Sequence, residues 1–239
     1  MSQEPQQEPY KRAMVVVAHA DDAEFGCSGT MARWCREGME AVYVLATDGS
    51  KGSEDRKITS EQLAETRKQE QIAAGKVLGL KDVVFLGYPD GYLQPTLELR
   101  RDIAREIRRF KPDVLITTNP VRTLTGREYI GHPDHFAAGE AALSAVYPAA
   151  RDHLTFPELL AEGYEPHKVR EVLIMGHPDP DKWVNVTGTI DTAIKALLSH
   201  VSQFEDPEGL AERMREWKSE AGKGREMDYA EAFKSFVLG

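Results

Sequence analysis

Apolar residues in this chain come in short β-branched runs separated by longer stretches of helical periodicity. Runs at Met14–Ala18, Ala41–Thr47, Val83–Leu86, Val114–Thr118 and Glu171–Met175 have the length and composition of buried strands. Between them, helical patterns fall at Cys27–Glu37, Ser60–Leu78, Leu97–Phe110 and His135–Val146, and Gly79 stands where a helix C-terminal cap belongs. Strands alternating with helices predict an α/β fold: one Rossmann-like, three-layer αβα domain with a mostly parallel sheet covered on both faces. The rest of the chain carries helical patterns near Thr189–Gln203, Gly209–Lys218 and Asp228–Phe236, which predict a C-terminal helical elaboration of the same domain. Residues 1–12, rich in Gln, Glu and Pro, are expected to be a disordered tail, and 13–239 a single domain.

Three loops are longer and more polar than the connections require: Asp48–Thr59, Gly87–Pro95 and Asn119–Asp134. All follow strand C-termini, where ligand sites lie in open α/β sheets. A strand order beginning 3-2-1-4 would make the first and fourth strands neighbours, so that the loop after the fourth faces the end of the first.

Those two places hold the chemistry. The first strand ends in His19-Ala20-Asp21-Asp22-Ala23, and unpaired carboxylates at the end of a buried strand are costly unless something neutralises them. The fourth loop ends in Gly131-His132-Pro133-Asp134-His135, two histidines three apart at a helix start. Each segment alone is equally an ordinary helix cap. Together, His19, Asp22 and one of the two later histidines make a workable catalytic zinc shell with a position open for water. Asp21 is then free as general base, and the remaining histidine can stabilise an oxyanion or protonate a leaving amine. No Gly-x-Ser-x-Gly elbow occurs, so a serine nucleophile of that type is not expected.

Composition narrows the field. The net charge of −9 argues against nucleic acid as a partner. The basic cluster from Arg100 to Lys111 is interleaved with Leu97, Ile103 and Ile107 and is expected to be a solvated helix face. No apolar run approaches the ~20 residues of a membrane span. The two cysteines, Cys27 and Cys35, are spaced for one helix face and not for a disulfide, which suggests a reducing, cytoplasmic location. Gly26–Gly29 lacks Gly-x-Gly-x-x-Gly, and the acidic segment before it would repel a pyrophosphate.

The chain resembles the LmbE-like, or PIG-L, family of zinc-dependent N-acetylglucosamine deacetylases. The family pattern Ala-His-Pro-Asp-Asp-x-Glu reads here Ala18-His19-Ala20-Asp21-Asp22-Ala23-Glu24, and His-Pro-Asp-His reads His132-Pro133-Asp134-His135. Gly26-Cys27-Ser28-Gly29-Thr30, Thr47-Asp48-Gly49, Arg67-Lys68-Gln69-Glu70 and Leu86-Gly87-Tyr88-Pro89-Asp90-Gly91 match as well, so the similarity spans about Ala13 to Phe204. The resemblance implies Zn2+, or another divalent transition metal, on His19, Asp22 and His135. It implies Asp21 as general base, His132 as electrophilic or acid partner, and Arg56 and Asp90 as sugar-contacting positions. It further implies a small N-acetylated amino-sugar substrate and a homo-oligomer. An amidase acting on a thiol-sugar conjugate and a non-catalytic metal- or sugar-binding protein are the alternatives. Two positions depart from the pattern: Ala20 replaces proline, and Ile130 stands where some members carry a substrate-facing tyrosine, with Tyr129 one residue earlier.

Overall fold

The computed structural model describes residues 8–124 and 130–239. Five strands run parallel: β1 (Arg12–Val17), β2 (Glu40–Thr47), β3 (Asp82–Tyr88), β4 (Val114–Thr118) and β5 (Glu171–Met175). Two more, β6 (Lys182–Asn185) and β7 (Ala230–Val237), complete a seven-stranded sheet in the order β3-β2-β1-β4-β5-β7-β6. β7 is antiparallel to both of its neighbours. The helices are α1 (Asp22–Arg36), α2 (Ser60–Leu78), α3 (Leu97–Phe110), α4 (Pro133–Ser144), α5 (Pro157–Ala161), α6 (Ile190–Leu197) and α7 (Pro207–Gly222).

The period-2 alternation of β1 explains the layering. Met14, Val16 and Ala18 pack into one core with Leu99, Ile103 and Ile107 of α3 and Ala138 and Ala142 of α4. Ala13, Val15 and Val17 pack into the other with Cys27 and Met31 of α1 and Ala74 and Leu78 of α2. A strand buried on both faces has no solvated side to supply polar alternation, and so it reads as a continuous apolar run. β1 and β4 lie side by side in register, Val15 against Ile116 and Val16 against Thr117, which brings their C-terminal ends together. α4 seats tightly on β4 because position 139 is glycine: a Cβ there would lie 2.4 Å from the Thr118 carbonyl oxygen.

Besides strand β6 and the short helix α5, which the sequence expectation lacks, the structure departs from it at four places. The segment expected as a third C-terminal helix is mostly strand β7. Ala230-Glu231-Ala232-Phe233 are acceptable helix formers, but pairing with β5 and β6 buries Ala230 and Phe233 in the sheet, and tertiary burial overrides a weak local preference. α1 begins at Asp22, five residues before Cys27, because its first turn is built from the acidic motif instead of from apolar residues. The pattern at 189–203 breaks after α6, and a short 3-10 turn covers Val201–Gln203. Arg108 is not on a solvated face: it is buried, donating to the carbonyls of Ala149, Ala150, Asp152 and Thr155. Both cysteines are free thiols, and among the described residues no helix is long and apolar enough to cross a membrane.

A buried ion pair ties the C-terminal elements to α1. Glu231 of β7 accepts hydrogen bonds from the backbone N–H groups of Gly29 (3.0 Å) and Thr30 (2.7 Å). Lys218 of α7 meets Glu231 Oε1 at 3.0 Å and donates to the Phe25 carbonyl at 2.8 Å. Lys218 and Glu231 are both buried. Replacing Lys218 by Met leaves an uncompensated buried carboxylate against α1, so Lys218→Met is expected to destabilise the fold by about 3 kcal/mol in urea unfolding. A midpoint unchanged from the parent protein would contradict this account of the pair.

Candidate metal centre

The end of β1 carries Ala18 and His19 into the crevice at the point where the strand order reverses. The Ala18 carbonyl is fixed by the backbone N–H (2.9 Å) and the hydroxyl (2.8 Å) of Thr47 at the end of β2. From the other side, α4 opens at the crevice with His132 as its N-cap, Pro133 in its first turn and His135 on the facing turn. Thr118 at the end of β4 donates its hydroxyl to the His135 carbonyl at 2.7 Å, locking that turn to the sheet.

Three imidazoles converge. Ring centroids lie 4.7 Å apart for His19 and His132, 5.2 Å for His19 and His135, and 5.3 Å for His132 and His135. One ligand atom from each of these three residues falls within 4.8 Å of the others, and His19, Asp90, His132 and Asp134 form a second such group. Asp22 closes the arrangement. Its Oδ1 lies 2.9 Å from His135 Nε2, its Oδ2 lies 3.7 Å from His19 Nδ1, and Oδ2 accepts the His19 backbone N–H at 2.9 Å. The far nitrogen of His19, Nε2, sits between Asp90 Oδ1 at 3.1 Å and Asp134 Oδ2 at 3.2 Å. A histidine with one nitrogen toward a cluster of donors and the other against carboxylates has the arrangement of a metal ligand with its orienting partner.

The charge balance makes the same point. Burial disfavours the His19 cation, but Asp90, Asp22 and Asp134 outweigh it and raise its pKa to about 9. In the metal-free chain a proton thus supplies the positive charge that the carboxylates demand. Burial also works against ionised Asp22, yet the hydrogen bond and charge of His135 and the charge of His19 hold its carboxyl below the usual range. Asp21 goes the other way: burial and the neighbouring Asp22 raise it to about 7, against the pull of Arg67, whose Nη2 is 3.7 Å from Asp21 Oδ2. Burial and the adjacent His19 lower the pKa of His132. The neutral His132 ring accepts the Asp134 backbone N–H at Nδ1 (3.2 Å), which leaves its proton on Nε2. A set of imidazole nitrogens and carboxylate oxygens with an excess of negative charge fits a divalent transition metal.

The remaining sequence candidates are placed as follows. Asp90, expected at the sugar, is buried, with one oxygen on His19 and the other accepting the Lys51 backbone N–H at 3.0 Å. Arg56 is exposed on the loop after β2. Tyr129 lies outside the described residues, whereas Ile130 is exposed at the rim of a cleft. That cleft, about 760 Å³, runs from Asp22 and His135 past Asn119 and Met175 to Phe25 and Trp217. Trp217 of α7 is 53% exposed there.

Sequence reasoning missed three participants. Asp134 was legible only as the middle of a histidine motif, yet it is fully buried and also accepts the N–H groups of Gly91 (2.7 Å) and Leu93 (3.2 Å). Arg67, legible only as part of a matching motif, leaves α2 to reach Asp21, Asp90 and the carbonyls of Ala20 and Lys51. His200 is fully buried and faces Glu24 at 3.4 Å. In the sequence it falls inside the amphipathic pattern at 189–203, which gave no signal of that partner.

Fold and site together define a doubly wound α/β protein whose switch-point crevice is lined by a His/Asp group able to hold a metal. Comparison with known proteins gives the family: the PIG-L model, described as GlcNAc-PI de-N-acetylase, matches residues 14–146, and the chain belongs to that family. The chain is similar to a diacetylchitobiose deacetylase of Thermococcus kodakarensis, 30% identical over 196 residues that cover 82% of this chain and 71% of the relative. It is also similar to a probable N-acetyl-alpha-D-glucosaminyl L-malate deacetylase 2 of Bacillus anthracis, 28% identical over 199 residues covering 81% and 82% of the two chains. Among solved structures, an N,N'-diacetylchitobiose deacetylase from Pyrococcus horikoshii, complexed with its inhibitor, superposes with a TM-score of 0.87 at 26% identity, covering 95% of this chain and 84% of that one.

The His19 shift sets a pH dependence in the metal-free protein. Its folded pKa of about 9 lies above the unfolded value of ~6.5, so the stability it contributes is complete below pH ~6.5 and is lost as pH rises through 9. Asp21, raised to about 7, adds a loss of the same sign that levels off above that pH, leaving the interval from 7 to 9 to His19. The melting temperature of chelator-treated protein is expected to fall between pH 7 and 9, and less steeply in Asp90→Asn. Equal slopes in the two proteins would remove Asp90 as a cause.

Proposed function

We propose that this chain is a metal-dependent N-deacetylase that hydrolyses the acetamide of an N-acetylglucosamine-type substrate, releasing acetate and a free amine. The observation that carries the proposal is the approach of Asp22 to both His19 and His135, with the buried carboxyl of Asp21 next to that of Asp22 and facing Arg67. His19, Asp22 and His135 would hold the metal, and zinc suits a set of two imidazoles and one carboxylate. Bound there, such a cation would supply Lewis acidity, lowering the pKa of a water molecule toward ~7 and polarising the amide carbonyl.

The chain's own groups handle the protons. An Asp21 carboxylate oxygen takes a proton from the attacking water as the water oxygen bonds to the carbonyl carbon, and returns that proton to the leaving nitrogen as the C–N bond breaks. His132, with its proton on Nε2, donates a hydrogen bond to the carbonyl oxygen as negative charge develops. Asp90 and Asp134 hold His19 in position through Nε2, so Asp90 acts behind the ligand instead of on the sugar. Arg56 keeps the sugar-contacting role that the family resemblance implies. The cleft leading to Trp217 is large enough for more than one sugar ring and would take the group attached to the amino sugar. The cytoplasmic location and the homo-oligomeric state belong to the same proposal, and the two free thiols agree with a reducing compartment.

N,N′-diacetylchitobiose, assayed for free amine with zinc-loaded protein, tests this directly. Asp21→Ala is expected to bind one metal per chain and to lose at least ~100-fold in kcat, the lower end of what general acid–base catalysis contributes. His135→Ala is expected to lose metal as well as activity. An Asp21→Ala protein that turns over at near-parental rate, or that purifies without metal under loading conditions, would overturn the division of labour between the adjacent aspartates. A second assay compares acetylated glucosaminides with and without a bulky aglycone. Trp217→Ala should raise KM for the former only.

A further inference from the structure

The peptide bond between Ala20 and Asp21 is gripped at both ends from one helix. Its carbonyl accepts a hydrogen bond from Arg67 Nη2 at 3.0 Å, and its N–H donates to Gln71 Oε1 at 3.2 Å. Arg67 and Gln71 are four residues apart on α2, one turn, so both reach the same edge of the crevice. The peptide plane they hold is the one that sets the φ angle of Asp21.

That angle is unusual. Asp21 is the N-cap of α1, yet it has φ 80° and ψ −24°, a left-handed conformation, and its side chain makes no capping hydrogen bond. An aspartate N-cap ordinarily has extended backbone and turns its carboxylate onto the first turn of the helix. Left-handed backbone is disfavoured for residues with a Cβ, and persists where the surroundings over-determine it. Here the carboxylate makes no capping bond and instead faces Arg67 Nη2 at 3.7 Å, within reach of the charge of Asp22. Ala20 leaves the preceding residue without the restriction that a proline would impose, so the two side chains of α2 supply the rigidity.

The clamp is braced from behind. Gln71 Nε2 donates to Glu24 Oε1 at 2.9 Å, which fixes the direction of the amide and presents its oxygen to Asp21. The other oxygen of Glu24 faces His200 Nε2 at 3.4 Å, and Gln71, Glu24 and His200 are all fully buried. Two residues beyond His200, Ser202 is tied to Glu70 of α2 through its backbone N–H (2.6 Å) and hydroxyl (2.8 Å). The segment after α6 is thereby fastened to the helix that carries the clamp.

We propose that Gln71 and Arg67 form a peptide clamp that positions Asp21 for proton transfer, with Glu24 and His200 orienting the Gln71 amide. Gln71 is a positioning residue and touches no substrate. The inference rests on the proposed role of Asp21 as base, and a double-mutant cycle separates the two. Gln71→Met keeps the side-chain length but removes both hydrogen bonds. In zinc-loaded protein with N,N′-diacetylchitobiose, it is expected to lower kcat ~10- to 100-fold, the scale of a misplacement of about 1 Å, with KM and metal content unchanged. In an Asp21→Ala background the same substitution should cost nothing further, because the group it acts through is gone. In metal-free protein, amide hydrogen exchange over residues 19–22 should accelerate while β1 stays protected. An equal loss of kcat in both backgrounds, or kcat within twofold of the parent, would overturn the clamp. Failure of Asp21→Ala alone to reduce activity would instead refute the base. Should Gln71→Met not fold, Gln71→Asn, which keeps the amide one methylene short, must show the same pattern or the proposal falls.

Discussion

Three carboxylates, from Asp22, Asp90 and Asp134, surround His19 at the buried end of a strand, with Asp21 next to Asp22, and the rest of the site depends on how their charge is balanced. Arg67 reaches two of these four aspartates, Asp21 at 3.7 Å and Asp90 at 3.9 Å. The remaining excess falls on the imidazoles, and in the metal-free chain it draws a proton onto His19. A divalent cation meets the same demand with one more charge and with directional bonds. The environment that makes the site expensive to leave empty is the environment that makes it bind.

The scaffold turns that demand into geometry. β1 and β4 are neighbours in register, so their loops enter the crevice from opposite sides of one seam. Gly139 lets α4 close onto the end of β4, and Thr118 and Thr47 pin the turns that carry His135 and His19. α2 contributes no candidate ligand, yet its Arg67 and Gln71 hold the backbone on which Asp21 stands. Hydrogen bonds to a backbone peptide position a carboxylate without occupying its oxygens, which stay free for proton transfer.

The two adjacent aspartates show how environment separates chemically identical groups. Asp22 accepts the backbone N–H of His19 and lies against His135, which favours its ionised form. Asp21, one residue earlier, is desolvated beside that charge and is pushed up to about 7. Groups whose surroundings drive them apart in this way are suited to different tasks, which is the division of labour proposed for the two aspartates.

Much of this was legible in the sequence, and what was not has a common cause. Apolar runs and helical periodicity determined the strands β1 to β5 and the two-sided core, because burial on one or both faces imposes a period that single residues reveal; the strand order at the centre of the sheet follows the alternation and connection rules of α/β folds. The motif spacing determined that His19, Asp21, Asp22, His132 and His135 could meet. Tertiary structure alone decided the rest. Strand β7 exists because β5 offers it an edge, against the local preference of Ala230 to Phe233. Asp90 and Asp134 stand behind His19 because the loop after β3 and the first turn of α4 fold onto the same nitrogen. Gln71 and His200 look unremarkable in sequence, and Glu24, though it closes the acidic motif, gives no sign of its partners: these come from hydrogen bonds and a close approach between residues 47 to 176 positions apart. Periodicity records which side of an element faces the core. It holds no record of which buried polar groups will find one another there.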